Sequence, residues 1–320
     1  MNKKTLVTGA SGFIGSWICR VLALNHEVIA LVRPTSEVYR LSGIKKIGVT
    51  PRETNQWAEF IGQSKPDALI LAGWWGVGNQ DRNEERQFEN IEAMKSLALA
   101  AREAGVTTVI GVGSQAELGP IENSITEDLP DNPTTKYGMA KAQARLALEE
   151  IFKESETRFV WMRIFSTYGP LDTGAWLIPQ TVDSLSRGKS MDLTHGEQEW
   201  SYLHAYDLAR AFGAVVENPA VAGVVDVGNP QTIILKDAVT KIAQALSAEK
   251  LLNFGAIAYR EDQVMKLQPA CETLGSIGWK PVISFDSGVA QTIAWLKGQS
   301  ADELVCLNGE KTTFELPARR

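Results

Sequence analysis

The first half of the chain alternates short apolar runs with longer segments of helical spacing. The runs predict strands at 5–7, 27–32, 68–71, 108–112 and 159–164, and the spacing predicts helices at 13–24, 84–104 and 134–152. Continuous apolar strands separated by helices are typical of a parallel sheet that is covered on both faces. The predicted fold class is therefore α/β, with a Rossmann-type doubly wound parallel sheet.

The pattern becomes less regular after about residue 166, where prolines and glycines separate shorter elements. We expect a smaller, irregular α/β domain there, to which the substrate binds. Residues 1–165, joined by about 199–227, are expected to form the nucleotide-binding domain, and residues 166–198 and 228–320 the substrate domain. The last twenty residues lack periodicity and are expected to form a surface strand or a loose tail.

The amino-acid composition limits which cellular compartment and which partners we expect for the protein. The chain has 32 Lys and Arg against 38 Asp and Glu, without a basic stripe, which argues against a nucleic-acid partner. We find no apolar run of the length that a membrane span or a signal peptide needs, and expect neither. The 3 cysteines lack paired spacing and favour a cytoplasmic protein with reduced thiols. The 3 histidines lack metal-ligand spacing, so no metal is expected.

A glycine-rich segment at residues 8–15, with the sequence TGASGFIG, links the first predicted strand to the first helix. In such a turn the first glycine permits a tight bend, the second admits a pyrophosphate, and the third lets the helix approach the strand. The free N–H groups at the helix start then face the phosphates. The predicted dinucleotide contacts are Gly9, Ser11, Gly12, Phe13, Ile14 and Gly15.

Arg33 follows the second predicted strand, where an acidic residue would bind the adenosine ribose and favour NAD. A guanidinium at this position is suited to a 2′-phosphate instead. We therefore expect NADP(H) to be favoured over NAD(H), the alternative being an exposed arginine beside a site that accepts NAD.

Tyr137 and Lys141 are four residues apart and share one face of the predicted helix. Ser114 ends a strand at the carboxyl edge, where parallel sheets bind their ligands. Reduction of a carbonyl needs a proton donor at its oxygen, and Lys⁺ beside a positive nicotinamide should lower the pKa of a tyrosine toward working pH. Ser114, Tyr137 and Lys141 are thus the predicted catalytic residues, and Tyr137 and Lys141 are also expected to contact the cofactor.

Together these motifs resemble the extended short-chain dehydrogenase/reductase family, in its NAD(P)-dependent epimerase/dehydratase branch. The resemblance covers nearly the whole chain, from the glycine segment to the late Gly278-Trp279-Lys280-Pro281. It implies cofactor contacts at Leu71, Ala72 and Gly73 after one strand, and at Asn90 in the following helix. Most members act on nucleotide sugars and members are often dimers, so a nucleotide-sugar substrate and a homodimer are implied.

The residues after Ser114 depart from this resemblance. The family's 4,6-dehydratases place Asp-Glu directly after the catalytic residue, whereas this chain has Gln115 and Ala116. Glu117 comes one position too late, which disfavours dehydration because one step along a strand or turn redirects a side chain. Gln115 and Glu117 are instead candidates for hydrogen bonds to sugar hydroxyls.

Residues expected near the substrate also differ from the family pattern. Trp200 lies where the family often has an arginine that meets the nucleotide diphosphate, and Ser166 where it often has asparagine. Arg260 is a candidate for the missing phosphate contact. The chain has 9 tryptophans. We expect Trp17, Trp161 and Trp295 in the core, and we expect Trp74, Trp75, Trp176 and Trp200 beside the cleft, where aromatic faces hold the substrate.

These observations favour an NADPH-dependent reductase of a 4-keto-deoxysugar nucleotide, with tyrosine as the acid. Two other activities use the same catalytic residues: a nucleotide-sugar 4-epimerase that retains its cofactor, and a carbonyl reductase of non-sugar ketones. A dinucleotide-binding protein without activity is less consistent with the retained Tyr137 and Lys141.

Overall fold

Strands and helices alternate along most of the chain in the computed structural model, which describes residues 3–121, 125–260, 263–299 and 301–319. The strands are β1 (Lys4–Thr8), β2 (Glu27–Val32), β3 (Ile47–Pro51), β4 (Ala68–Leu71), β5 (Thr108–Ser114), β6 (Arg158–Ile164), β7 (Thr167–Tyr168), β8 (Met191–Leu193), β9 (Glu199–Trp200), β10 (Leu203–His204), β11 (Gly223–Val227), β12 (Ile233–Ile234), β13 (Leu252–Phe254), β14 (Lys266–Leu267), β15 (Glu303–Val305) and β16 (Lys311–Thr313). The helices are α1 (Phe13–Leu22), α2 (Trp57–Ser64), α3 (Glu89–Glu103), α4 (Lys136–Phe152), α5 (Leu177–Ser186), α6 (Ala205–Glu217), α7 (Leu235–Ala245), α8 (Glu272–Ser276) and α9 (Phe285–Leu296).

In the described part of the chain, seven strands form one parallel sheet in the order β11-β6-β5-β4-β1-β2-β3. The order reverses between β1 and β4, where Thr8 pairs with Leu71 at the carboxyl end. The loops that follow these two strands therefore leave the sheet side by side. Ligands of doubly wound sheets bind at this kind of position. The predicted fold class is confirmed.

Both faces of the sheet are buried, each by its own set of helices. Successive strand side chains point to opposite faces, so Val7 and Ile70 join one apolar cluster with residues of α1 and α6. Leu6 and Leu69 join another cluster with residues of α2, α3 and α4. The three tryptophans expected in the core are buried: Trp17, Trp161 and Trp295.

Several elements differ from the sequence prediction. The pattern did not predict β3, three of whose five residues are exposed, or the short helix α2, whose apolar face consists of Ile61 with Trp57 and Phe60 partly buried beside it. The helix predicted over 84–104 begins with a 3-10 turn at Glu85–Phe88, and α3 follows it. The C-terminal segment is no loose tail, because β15 and β16 form an antiparallel hairpin and Phe314 beyond it is buried.

Short strands and helices make up the remainder of the chain. The strands β9, β12 and β14 form one small sheet, and β8 pairs with β13. The segment between 199 and 227 contributes α6 beside α1 and adds β11 to the edge of the main sheet. The division into a nucleotide-binding and a substrate domain stays a prediction.

Candidate active site

The glycine segment forms a tight turn between β1 and α1. Gly9 has a φ of 65°, and a Cβ there would lie 2.6 Å from the Ala72 carbonyl. A side chain at Gly15 would clash with the Gly9 carbonyl, so both positions require glycine. Gly12 is the N-cap residue of α1 and is exposed. The first N–H groups of a helix have no intrahelical acceptor. This cradle fits the pyrophosphate of a dinucleotide.

The end of β4 lies against this turn. The Thr8 hydroxyl accepts the Gly73 N–H at 3.2 Å, which ties the two neighbouring strand ends together. Leu71 is buried, whereas Ala72 and Gly73 are partly exposed beside the turn. The structure thus brings the segment 71–73 next to Gly9, as a shared cofactor site requires, while the individual contacts stay predictions.

Ser114 ends β5 and begins a 3-10 turn at Gln115–Glu117. Its Oγ accepts the Ala116 N–H at 3.2 Å, and Glu117 accepts the Ser114 N–H in return. This reciprocal arrangement is a capping box. It holds the Ser114 hydroxyl at the carboxyl edge of the sheet.

The prediction that Glu117 contacts a sugar hydroxyl is wrong. Its side chain is fully buried, and its second oxygen accepts the Trp161 indole N–H at 2.9 Å. Both carboxylate oxygens are therefore occupied inside the protein. Gln115 differs, because its side-chain oxygen is buried without a hydrogen-bond partner and stays a candidate for a substrate donor.

Tyr137 and Lys141 project from the first turns of α4, which the Thr135 hydroxyl caps by accepting the Gly138 N–H. Both side chains are buried. The Lys141 Nζ donates to the Val112 carbonyl at 2.7 Å and lies 3.7 Å from the centroid of the Trp74 ring. The same nitrogen is 5.8 Å from the centre of the Tyr137 ring. The three predicted catalytic residues thus meet at one place.

Burial dominates the electrostatics of this group. It raises the pKa of Tyr137 above its usual value, against a hydrogen bond with Ser114 and the charge of Arg82, which lower it. Burial also lowers the pKa of Lys141 and raises that of Glu117, since both lose the hydration of their charged forms. The expectation that Lys141 and the positive nicotinamide together bring the pKa of Tyr137 toward working pH stays a prediction.

The loop after β4 carries the two tryptophans expected beside the cleft. The Trp74 indole meets Tyr137 edge-on with 6.1 Å between ring centroids, and its N–H donates to the buried Gln87 at 2.8 Å. The side chain of Asn90 accepts the Trp75 N–H at 2.8 Å and donates back to the Trp75 carbonyl. Asn90 thus holds the loop in place, and its direct contact with a cofactor stays a prediction.

Trp176 approaches the same place from the segment before α5. The guanidinium of Arg82 lies between the two aromatic rings, with its central carbon 5.0 Å from the Tyr137 centroid and 5.5 Å from the Trp176 centroid. Trp176 therefore lies one side chain away from Tyr137. Sequence reasoning missed Arg82 and Gln87, because their loop has no periodicity or motif that singles them out.

Trp200 and Ser166, the two departures on the substrate side, contact each other. The indole N–H of Trp200 donates to the Ser166 hydroxyl at 2.8 Å. Trp200 also packs against an apolar cluster that contains Phe165 and Leu267. The two replacements are therefore one local change, and both side chains remain partly exposed.

Two predicted phosphate contacts lie at the surface. Arg33 is exposed directly after β2, and its backbone carbonyl accepts the Ser36 N–H at 3.0 Å. Arg260 is exposed on the loop after β13, beside positions 261–262, which lie outside the described residues. Their roles stay predictions.

No helix in the described ranges is both long and apolar enough to cross a membrane. Those ranges also hold no cluster of His, Cys, Asp or Glu side chains suited to a metal ion.

A glycine cradle at the reversal of strand order, beside Ser114, Tyr137 and Lys141, defines a dinucleotide-dependent enzyme of the short-chain dehydrogenase/reductase type. The chain belongs to the NAD dependent epimerase/dehydratase family, whose model matches residues 5–228. This confirms the resemblance drawn from the motifs.

Similar proteins include several enzymes of nucleotide sugars. CDP-abequose synthase of Salmonella muenchen is 23% identical over 92% of this chain and 98% of its own length. Mouse (Mus musculus) dTDP-D-glucose 4,6-dehydratase is also 23% identical, over 92% of this chain and 89% of its own length.

Solved structures share the fold over nearly the whole chain. A UDP-N-acetylglucosamine 4-epimerase from Methanobrevibacter ruminantium M1, in complex with UDP-N-acetylmuramic acid, has a TM-score of 0.84 at 20% identity and covers 93% of this chain and 99% of its own. The dTDP-glucose 4,6-dehydratase DesIV from Streptomyces venezuelae, with NAD bound, has a TM-score of 0.81 at 22% identity and covers 92% and 97%.

Proposed function

We propose that the chain is an NADPH-dependent reductase of a 4-keto-deoxysugar nucleotide. The observation that carries this proposal is the meeting of Ser114, Tyr137 and Lys141 beside the glycine cradle, at the carboxyl edge of the sheet. The same residues serve an epimerase, so the choice of a reductase depends on Arg33, which favours the exchangeable cofactor NADP(H).

The side chains of the site divide the chemistry among them. NADPH, when bound in the cradle, supplies the hydride. Tyr137 gives its phenolic proton to the carbonyl oxygen, so that a C–H and an O–H bond form and the C=O double bond becomes single. Ser114 donates a hydrogen bond to the same oxygen and fixes its position. The tyrosinate that remains then regains a proton from solvent.

Dehydration receives no support from the residues after Ser114. The turn 114–117 contains one carboxylate, Glu117, and both of its oxygens accept hydrogen bonds from inside the protein. An elimination needs an acid or base that faces the sugar. This separates the proposed activity from that of the dehydratase relatives.

Absorbance at 340 nm tests the proposal directly. We expect loss of NADPH on addition of a 4-keto-6-deoxy nucleotide sugar, and at least a hundredfold lower rate for Y137F. Interconversion of two sugar epimers without net consumption of NADPH would contradict the reductase and favour the 4-epimerase.

Arg33 is expected to select the cofactor. In R33A we expect the affinity for NADPH to fall by about 1–3 kcal/mol, because a charge-assisted contact to the 2′-phosphate is lost. The affinity for NADH should change little. Titration of both nucleotides by calorimetry measures this, with R187A, directly after α5, as a control arginine. An equal effect on both nucleotides would contradict the assignment.

We further propose that the protein is a cytoplasmic homodimer that pairs through α3 and α4. Two apolar side chains on α4, Met139 and Leu146, are seven residues apart and 39% and 55% exposed. Their spacing places them on one face of the helix. The free cysteines are consistent with a reducing compartment. Light scattering should give twice the chain mass for wild type and the single mass for L146E.

A further inference from the structure

Arg82 contacts Tyr137 through both its main chain and its side chain. Its backbone carbonyl accepts the Tyr137 N–H at 2.8 Å, and its guanidinium lies 5.0 Å from the centroid of the Tyr137 ring. On the other side the guanidinium meets the ring of Trp176. The loop after β4 is thereby fixed to the start of α4, with the cation held between two aromatic rings.

No carboxylate neutralises Arg82 within the described ranges of the chain, and its Nε is buried without a hydrogen-bond partner. Two acidic side chains close to Arg82 in the sequence have other partners: Glu85 pairs with Lys136, and Glu89 pairs with Arg86. A buried donor without an acceptor is costly, so its persistence in a fold calls for an explanation. The contacts of Arg82 point to its charge acting on Tyr137.

Three charged or titratable groups face Tyr137 besides the Ser114 hydroxyl. Arg82 on the loop favours the ionised phenol, and Glu117 on the turn after β5 opposes it. Lys141, on the same helix as Tyr137, points its Nζ at the Val112 carbonyl under the Trp74 ring. Burial disfavours the charge of that lysine, whereas an arginine stays charged at every pH at which the protein is folded.

We propose that Arg82 is a positioning residue for the acid, a permanent cation that holds the Tyr137 ring and stabilises its ionised form. The sequence motif assigns this role to Lys141 and the positive nicotinamide. The inference rests on the proposed function of Tyr137, and it needs no bond to form or break at Arg82 itself.

Titration of a fluorinated tyrosine at position 137 tests this role without any substrate. Its phenol is more acidic than that of tyrosine, which brings the titration into the range in which the protein stays folded, and ¹⁹F NMR reports its ionisation. We expect the midpoint to rise by about one pH unit in R82Q, because a cation near the phenolate is removed. R82K should keep the midpoint near that of wild type.

R86Q is the matched control. Arg86 lies 4.5 Å from the centre of the Trp75 ring in the same loop, but it pairs with Glu89 and is exposed, so the midpoint should not move. Equal midpoints in R82Q and wild type would overturn the proposal. If R82Q unfolds, a rise of about one unit in R82K would overturn it as well. Since the titration needs no turnover, its outcome is independent of whether the protein reduces a keto sugar.

Discussion

Among single residues, Asp172 illustrates how burial outweighs a hydrogen bond and a nearby cation in setting the protonation of a carboxyl group. It lies in the segment before Trp176, where its Oδ1 accepts the Gly174 N–H at 2.9 Å and its Oδ2 is buried without a partner. Burial raises the pKa of Asp172 to about 6, against this hydrogen bond and the charge of Arg40. The carboxyl group therefore favours its protonated form more than in the unfolded chain.

Comparison of wild type with the D172N variant tests this pKa shift through the pH dependence of the unfolding free energy. A carboxyl whose pKa is raised in the folded state stabilises that state below pH 4 and loses this contribution as the pH rises through 6. The amide of D172N does not titrate. We expect the unfolding free energy of wild type to fall by about 2 kcal/mol relative to D172N between pH 4 and pH 7. Urea unfolding at several pH values measures it, and a difference that stays constant would contradict the assigned cause.

At the scale of elements, β5 is shaped by the indole of its neighbour in β6. Gly111 pairs with Trp161, and a Cβ at Gly111 would lie 2.6 Å from Cζ3 of that indole. A Cβ at Gly113 would lie 2.9 Å from its Cδ1. Two glycines on one face thus make room for Trp161, whose N–H then reaches Glu117 in the turn that holds Ser114. Packing inside the sheet therefore fixes the position of a proposed catalytic hydroxyl.

The G111A variant is expected to disturb both the sheet and the turn. The added methyl group must displace the indole, which costs about 1–3 kcal/mol of unfolding free energy. The turnover number should fall as well, because the displaced indole N–H no longer holds Glu117. G48A in β3 is the matched control, since its Cβ would meet only the Val28 carbonyl, at 3.9 Å. Similar losses of stability in both variants would argue against the role of Trp161.

In the whole molecule, the C-terminal segment closes the fold over the first helix. Phe314 is buried against Trp17, with 5.6 Å between the ring centroids, and against Tyr206 of α6 at 5.1 Å. Arg20 of α1 donates to the Glu315 carbonyl at 2.7 Å. The segment after β16 is thus packed against α1 and α6 on the face of the sheet that these two helices cover.

Removal of the Phe314 ring should lower the stability of the entire protein. For F314A we expect a loss of about 3–5 kcal/mol in the unfolding free energy, as for other buried phenylalanines. L307A is the control, since Leu307 in the hairpin turn is 67% exposed and its removal should cost less than about 0.5 kcal/mol. Urea unfolding followed by tryptophan fluorescence compares them, and a near-zero effect of F314A would show that the tail is dispensable.

The strands at the centre of the sheet were predictable because burial on both faces makes them continuously apolar. The strands 27–32 and 68–71 agree residue for residue with β2 and β4. Edge elements such as β3 lack this signal. In the site, Tyr137 and Lys141 are four residues apart on one helix, and this spacing can be recognised in the sequence. The contacts of Arg82 with Trp176 and of Ser166 with Trp200 join distant segments, and local patterns carry no information on such pairs.

The loop between β4 and α3 has a consequence for protein engineering. Gln87 donates to the carbonyls of Gly76 and Asp81 while it accepts from Trp74, and Asn90 holds Trp75 at both its N–H and its carbonyl. These bonds begin and end within residues 74–90. Transplanting the segment as one piece into a related scaffold should therefore keep these internal hydrogen bonds, whereas exchanging Trp74 alone would break its bond to Gln87. The contacts of Arg82 would be kept only in a scaffold that also supplies Tyr137 and Trp176.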